Sequence, residues 1–410
     1  MSSLYKSTLP NGVRILVESV DHVQSAAVGL WCKTGSRHER DDEAGITHLI
    51  EHMLFKGTET RTAKQIAESI EGRGGHLNAF TDKESTCYHA RILADDVPNA
   101  VDVLSDMMRH SLIDPDELGR EAKVVLEEIK RGEDEPSDQV HELHLENRWG
   151  NHPLGKPIIG TKESVSGFTQ ENIRTYMDRQ YRGENIMLAI AGKVDAQQVH
   201  DLAAQFLGDL PSGAENGSVP RPAGTASDVY IEKDVEQVHF CIGTDGVSLY
   251  DDDLYPLTLL DTALGGSMSS RLFQEIREKR GLVYAIGSYK LSYAAGGAFT
   301  VYGGTSPEHW EEVQQVTREQ FNLVASEGLD EDELHRTKRL LAGSMVLGLE
   351  GMNSRMMRMS RNELHHQRQI PVEETLERLN AVTCSDVQAL AQRLLKPELV
   401  SITAIGPGKN

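Results

Sequence analysis

The sequence predicts an α+β fold in which two homologous domains each pack a largely antiparallel sheet against helices. Three observations support this prediction. The chain has 410 residues, which exceeds the usual size of one hydrophobic core and suits two domains. Strand-like and helix-like segments follow one another without the strict alternation that a parallel sheet requires. The third observation is an internal repeat with a period of about half the chain.

The repeat is weak, but it recurs at nearly constant offsets. The matched pairs, each 214 or 216 residues apart, are residues 114–118 with 330–334, 168–169 with 382–383, and 190–192 with 404–406. An offset that holds at three places indicates duplication of one unit. Residues 208–228 lie between the copies and are rich in proline, glycine, serine and alanine, as linkers are. We therefore predict an N-terminal domain over 1–210, a linker over 211–228 and a C-terminal homologous domain over 229–410.

Local patterns predict the elements of the first copy in order. Apolar runs predict strands at 13–17, 26–32, 77–81, 85–92 and 186–191. Helical spacing predicts a helix from Gly45 to Gly57. A capping box formed by Thr62 and Gln65 opens a second helix that ends near Glu71. Asp114 followed by Pro115 opens a third, which runs to about residue 131.

The helix that begins at Gly45 carries a candidate metal site. His48 and His52 are four residues apart, so both imidazoles lie on one face and can reach one ion. Glu51 lies beside them and could act on a water bound to that ion. Because a chain with 16 histidines can contain this pattern by chance, it needs support elsewhere. At an offset of 216, these histidines fall on residues 264–268 and Glu128 falls on Ser344, so the second copy lacks the ligands.

A catalytic zinc needs a third protein ligand and an open position for water. Glu121 and Glu128 are seven residues apart and therefore share one face of the third helix. One could bind zinc while the other orients a histidine. Spacing alone does not choose among Glu121, Glu127 and Glu128. The order His-x-x-Glu-His is the inverse of the commoner zinc motif and marks the inverzincins.

These residues resemble the pitrilysin (insulinase) family of zinc peptidases over essentially the whole chain. The resemblance is strongest to the short members related to the β subunit of mitochondrial processing peptidase. It implies that His48, His52 and Glu128 bind one zinc ion per chain. It further implies that Glu51 is the general base on a zinc-bound water. Glu121 would be a carboxylate that contacts one of the zinc-binding side chains without binding the zinc itself.

The same resemblance implies where an extended peptide substrate binds. Residues 277–284 resemble a family segment whose arginine and tyrosine contact substrate near the scissile bond, which nominates Arg277 and Tyr284. The C-terminal domain would therefore contribute to substrate binding. A strand formed by Asn78, Ala79, Phe80 and Thr81 would pair with the peptide backbone. Short family members pair two chains, so we expect a dimer, with identical subunits as the simplest form.

Two other functions compete with a zinc endopeptidase that cleaves peptides or unfolded, presequence-like segments. One is a non-catalytic partner subunit in a heterodimeric processing peptidase, and the other is a structural metal protein with a closed four-ligand site. The retained ligands and base favour the enzyme. Composition narrows the partners, because a net charge of −21 argues against nucleic acid and anionic membranes. We find no signal peptide or membrane span and expect a cytoplasmic protein with reduced cysteines.

Two further histidine groups are set aside as candidate sites. His141 and His144 follow a predicted flexible segment at 132–137, and we interpret them as part of a solvated acidic helix. His365 and His366 lie among charged residues and are interpreted as surface residues.

Overall fold

The computed structural model describes residues 2–214 and 216–408. The chain divides into two compact units, each assembled from three segments. Unit 1 comprises Met1–Lys130, Pro157–Ser218 and Leu347–Gln369, and unit 2 comprises Arg131–Lys156, Val219–Val346 and Ile370–Asn410. The boundary between the two units at Ser218 and Val219 lies inside the predicted linker. Each unit also contains a segment from the other half of the sequence, a feature that the linear boundaries predicted from composition do not include.

Unit 1 is built on a six-stranded sheet in the order β1-β2-β6-β3-β5-β4. Its strands are β1 (Ser2–Thr8), β2 (Arg14–Val20), β3 (Ser25–Cys32), β4 (His76–Thr81), β5 (Thr86–Leu93) and β6 (Ile186–Gly192). All neighbours are antiparallel except β2 and β6. Strands β1 and β4 form the two edges. The predicted strands of the first copy are therefore present, and the sheet is largely antiparallel as expected.

The main core of unit 1 lies between one face of this sheet and its helices. These are α1 (Ile46–Met53), α2 (Ala63–Glu71), α3 (Val97–His110), α4 (Pro115–Asp134), α6 (Lys162–Gly167), α7 (Gln170–Gln180) and α8 (Ala196–Leu207), with α5 (Pro136–Trp149) belonging to unit 2. The predicted capping box at Thr62 opens α2. Alternate strand residues such as Ile15, Val28 and Leu188 point into this core and are fully buried or nearly so.

The opposite face of the unit 1 sheet is covered by α12 (Met352–His366), which comes from the second half of the sequence. Met356 and Met359 pack there against Leu16, Trp31 and other strand residues, which alternate along the strands with those of the main core and so point to the opposite face. Because both faces are covered, the central strand β6 is buried along its whole length.

Unit 2 is built on a five-stranded sheet in the order β7-β11-β8-β10-β9. The strands are β7 (Asp228–Glu232), β8 (Val238–Asp245), β9 (Val283–Ser292), β10 (Gly297–Thr305) and β11 (Ser401–Gly406), and only β7 and β11 are parallel. Its remaining helices are α9 (Leu254–Leu264), α10 (Trp310–Glu327), α11 (Glu331–Gly348), α13 (Val372–Ala381) and α14 (Cys384–Leu394). A π-helical segment spans Phe273–Glu278.

The exchanged helices α5 and α12 are equivalent parts of the duplicated unit. A shift of 216 residues places the start of α5 on the start of α12. On the unit 2 sheet, α5 buries Val140 against Cys241 and Ile405, as α12 buries Met356 on the unit 1 sheet. Each copy therefore gives the same helix to the other unit.

Three local expectations from sequence were wrong. The flexible segment predicted at 132–137 is almost entirely helical, because α4 continues to Asp134 and α5 begins at Pro136. His144 is not solvated but fully buried, and its Nδ1 lies 3.1 Å from the Thr403 hydroxyl. Packing of α5 on the sheet buries this face, and that tertiary contact is not visible in the local sequence. His365 is also largely buried and lies 3.8 Å from Glu84.

The four cysteines are free thiols, of which Cys32, Cys87 and Cys241 are buried. None of the described helices combines the length and apolarity that a membrane crossing requires.

Candidate metal centre

The site is built on α1, a helix of two turns with one buried and one open face. Ile46, Leu49, Ile50 and Met53 are fully buried and anchor the helix in the unit 1 core. His48, Glu51 and His52 occupy the other face and are partly exposed. The apolar spacing that predicts this helix therefore also fixes the direction in which the three polar side chains point.

Helix α4 brings a carboxylate to the two histidines. The Glu128 carboxylate lies 3.9 Å from His48 Nε2 and 3.7 Å from His52 Nε2. One ligand atom from each of the three residues lies within 4.8 Å of the other two. Among the described residues, this is the group of histidine, cysteine and acidic side chains that is close enough to hold a metal ion. Glu127, which the spacing left open, instead pairs with Lys130 on the exposed side of α4.

The donor set fits zinc. Two imidazole nitrogens and one carboxylate oxygen are the ligands of many catalytic zinc sites, and a tetrahedral zinc separates its ligand atoms by about 3.4 Å. The observed separations from Glu128 need to contract by only about half an ångström. The group is open to solvent on the side of Glu128, whose side chain is 42 % exposed.

The protonation of the two imidazoles also allows them to bind a metal. Burial, together with the neighbouring His52, lowers the pKa of His48 to about 4, so its imidazole is neutral at pH 7. The Nδ1 of His52 lies 3.2 Å from a Glu121 oxygen, and this contact favours the tautomer of the neutral imidazole in which Nδ1 carries the hydrogen and Nε2 can bind a metal. Lys56 contacts the other Glu121 oxygen at 2.6 Å and compensates its buried charge.

Glu51 lies beside the histidines but takes no part in this ligand group. The hydroxyl of Thr81, on β4, donates a hydrogen bond of 2.6 Å to the Glu51 carboxylate. Burial raises the pKa of Glu51, the hydrogen bond from Thr81 opposes this effect, and the nearby Glu128 carboxylate adds to it. A raised pKa suits a group that must accept a proton near neutral pH.

The four residues of the proposed substrate strand lie on β4, an edge of the unit 1 sheet. The backbone N–H of Ala79 donates a hydrogen bond to the side-chain oxygen of Asn78, and Phe80 packs edge-on against Trp31. Thr81 is the member of this group that contacts Glu51. Sequence patterns located this strand, but neither the contact to Glu51 nor the Lys56–Glu121 ion pair was anticipated. The sequence did contain a signal for the Lys56–Glu121 ion pair, because Lys56 lies four residues after His52.

The remaining predicted site residues, Arg277 and Tyr284, belong to unit 2. Arg277 lies on the π-helical segment with its guanidinium 4.6 Å from the ring centre of Phe273 and 5.6 Å from that of Tyr284. Tyr284 is the second residue of β9, and 84 % of its surface is exposed. The two predicted residues therefore form one cation–π pair on an accessible surface.

Comparisons with known proteins agree with this geometry. Residues 14–162 match the insulinase family (peptidase family M16), and residues 167–341 match the peptidase M16 inactive domain. An uncharacterised zinc protease of Bacillus subtilis is 39 % identical over 98 % of both chains. One from Streptomyces coelicolor is 40 % identical, and the match covers all of this chain and 91 % of the relative.

Solved structures share the fold at lower sequence identity. The crystal structure of a peptidase M16 inactive domain from Pseudomonas fluorescens superposes with a TM-score of 0.92 at 22 % identity, covering 99 % of both chains. A protease from Helicobacter pylori gives a TM-score of 0.91 at 20 % identity, covering 99 % of this chain and all of the other. Both comparisons extend over two copies of the duplicated unit.

Proposed function

Because the chain belongs to the insulinase family of peptidases (M16), we propose that it is a zinc-dependent endopeptidase acting on peptides or unfolded, presequence-like segments. The observation that carries this proposal is the meeting of His48, His52 and Glu128 next to Glu51. Three ligands with an open fourth position are typical of a catalytic zinc rather than a structural one. We assign these three side chains as the zinc ligands, with one ion per chain.

Bound zinc supplies a water of near-neutral pKa and polarises the scissile carbonyl. In this mechanism Glu51 accepts a proton from the attacking water and later delivers it to the leaving amine. Thr81 holds the Glu51 carboxylate in place through the hydrogen bond at 2.6 Å. Glu121 holds the His52 ring and its tautomer, as carboxylates behind zinc-bound histidines commonly do.

We assign Asn78, Ala79, Phe80 and Thr81 to substrate binding. An edge strand offers backbone N–H and C=O groups to an incoming extended peptide, which then adds to the sheet. Main-chain pairing is insensitive to sequence, so the substrate has to be unfolded rather than of one composition. The contact from Thr81 to Glu51 supports this assignment, because a peptide paired with β4 would pass beside the proposed base.

Arg277 and Tyr284 are proposed to bind substrate from unit 2, with the Tyr284 hydroxyl as a donor to the developing oxyanion. The exposure of Tyr284 and the stacking of Arg277 on its ring support this role, because they form an accessible surface that a ligand can contact. We further propose a homodimer in the cytoplasm. The rival function, a non-catalytic partner subunit, would not require the complete set of ligands and base that this chain carries.

The Glu51→Gln variant tests the proposal. The amide cannot accept the proton but has the same size, so the variant should retain zinc and lose hydrolysis of an unstructured peptide by about 100-fold to 10,000-fold. The measurements are zinc content and cleavage of a peptide library followed by mass spectrometry. Ser267→Ala, at the equivalent place in unit 2, is the control and should leave hydrolysis unchanged. Activity that survives Glu51→Gln defeats the assignment of the base.

A further inference from the structure

The start of α1 is fixed by a carboxylate from outside the helix. The two Glu39 oxygens accept hydrogen bonds from the backbone N–H groups of Gly45, at 2.8 Å, and Thr47, at 2.9 Å. Gly45 is the N-terminal cap residue and has no side chain that could accept these hydrogen bonds. Glu39 therefore does for α1 what an N-cap side chain does for other helices, and its charge also faces the positive end of the helix dipole.

Thr47 connects this cap to α7. The Thr47 side chain is fully buried, and its hydroxyl lies 2.9 Å from the Tyr176 hydroxyl. Tyr176 in turn lies 3.1 Å from the hydroxyl of Thr34. Thr47 immediately precedes His48, so this buried network ends one residue before the first proposed zinc ligand.

The opposite side of the helix start is equally confined. Gly45 has φ +87°, and a Cβ placed there would lie 2.5 Å from the carbonyl oxygen of Ile159. The backbone at 159–160 therefore packs directly on the entry to α1. A helix of eight residues has only about two turns and cannot hold its position by its own hydrogen bonds. Its axial position and rotation depend on these contacts and on its buried face.

From this geometry we infer that Glu39 is a positioning residue for the zinc site, acting through the first turn of α1 and supported by Tyr176. The inference rests on the proposed function. Without the cap, the first turn of α1 loses two hydrogen bonds and frays, which moves His48 relative to His52 and Glu128. Outer residues that orient zinc ligands typically change metal affinity by about 10-fold to 100-fold.

The test is zinc affinity, measured by competition with a chelator at about pH 8. Burial raises the pKa of Glu39 to about 7 against the effect of its hydrogen bonds, so this pH keeps the carboxylate charged. Glu39→Ala should weaken zinc binding by about 10-fold or more. Glu39→Gln retains one accepting oxygen and should restore part of the loss. Asp195→Ala removes the N-cap of α8 in the same unit and, as the matched control, should leave zinc affinity unchanged.

Cobalt(II) substitution provides a second measurement, because its visible spectrum reports the geometry of the ligands. Glu39→Ala should alter that spectrum, whereas Asp195→Ala should not. If Glu39→Ala does not fold, Tyr176→Phe removes only a hydroxyl and should still weaken zinc binding measurably.

The outcomes separate the two proposals. Wild-type protein that binds no zinc overturns the proposed function. If the wild type binds zinc, and the Glu39 and Tyr176 variants have the same zinc affinity and the same cobalt spectrum as the wild type, the role of Glu39 is overturned. The proposed function is then unaffected.

Discussion

Units 1 and 2 contain the same five-stranded arrangement but differ in chemistry. Strands β2-β6-β3-β5-β4 of unit 1 and β7-β11-β8-β10-β9 of unit 2 have the same order and the same directions, with the parallel pair at the same place. Among the described residues, the group that could hold a metal lies in unit 1. One scaffold therefore exists in this chain with and without a candidate metal site.

At the positions that match the ligands, unit 2 differs from unit 1 in side chains and in local backbone, and the counterpart of His48 is Leu264, a fully buried core residue. The residues that an offset of 216 matches to His48–His52 lie at the end of α9 and in the turn after it, where Met268 is 73 % exposed. The counterpart of Glu128 on α11 is Ser344, which is exposed. Both cores, in contrast, are filled by buried apolar residues. Ligands on open helix faces can be lost without loss of the fold, which explains how one copy could abandon the site.

The largest expected effect is loss of the third ligand. Glu128→Ala should abolish stoichiometric zinc binding and lower peptide hydrolysis by at least about 1000-fold, because metal assistance contributes several kcal/mol. Ser344→Ala, the equivalent change in unit 2, should leave both unchanged. Zinc content and kcat/KM are the measurements. Equal effects of the two substitutions would contradict the difference between the copies.

The exchanged helices should respond alike. Met356→Ala in α12 and Val140→Ala in α5 each remove a buried side chain at equivalent positions. We expect a loss of about 2–5 kcal/mol in the free energy of unfolding for Met356→Ala and about 1–3 kcal/mol for the smaller Val140. Hydrogen exchange measured by mass spectrometry should show reduced protection of the sheet that each helix covers. Unchanged protection of β3 in Met356→Ala would show that α12 does not stabilise unit 1.

A smaller effect on zinc affinity is expected from Glu121, which contacts His52 Nδ1. Glu121→Gln keeps the size of the side chain but weakens the hydrogen bond to His52 Nδ1 and the ion pair with Lys56. Zinc affinity should fall by about 10-fold to 100-fold while the fold persists. Glu127→Gln, one residue before Glu128 on the exposed side of α4, is the control and should not change zinc affinity. If both variants bind zinc like the wild type, Glu121 has no role in orienting His52.

The smallest effect tests what the copies share. Asp114 and Asp330 open α4 and α11. Asp114 accepts hydrogen bonds from the backbone N–H groups of Asp116 and Glu117, and Asp330 accepts one from that of Glu333. Replacement of either by alanine should cost about 1 kcal/mol of stability. Asp114→Ala should also reduce zinc affinity slightly, since α4 carries Glu128, whereas Asp330→Ala should not. Unfolding midpoints and chelator competition measure the two effects, and an Asp330→Ala variant with weakened zinc binding would run against this expectation.

Sequence predicted the features that depend on local patterns. Helical spacing located α1, the capping residues Thr62 and Asp114 located the starts of α2 and α4, and repeated segments revealed the duplication. Thr169 and Thr383, from one matched pair, form capping boxes at α7 and α14. The resemblance to the family then selected Glu128 over Glu127, and the structure brings Glu128 to the histidines.

The missing features depend on contacts between distant segments. No local pattern tells that α5 leaves the first half of the chain to cover the other sheet, or that His144 is buried there. The cap that Glu39 provides to α1 is equally hidden, because Glu39 precedes the helix by several residues and joins it only through tertiary folding. Alternation predicts which faces of a strand are apolar but not which helix covers them.

Zinc content per chain, measured on protein purified without added metal chelators, decides whether His48, His52 and Glu128 hold a metal ion. We expect one zinc per chain in the wild type and essentially none in a His48→Ala/His52→Ala variant whose two sheets retain their protection from hydrogen exchange. A wild type that binds no zinc after incubation with excess metal would rule out this site, as would equal zinc content in the double variant.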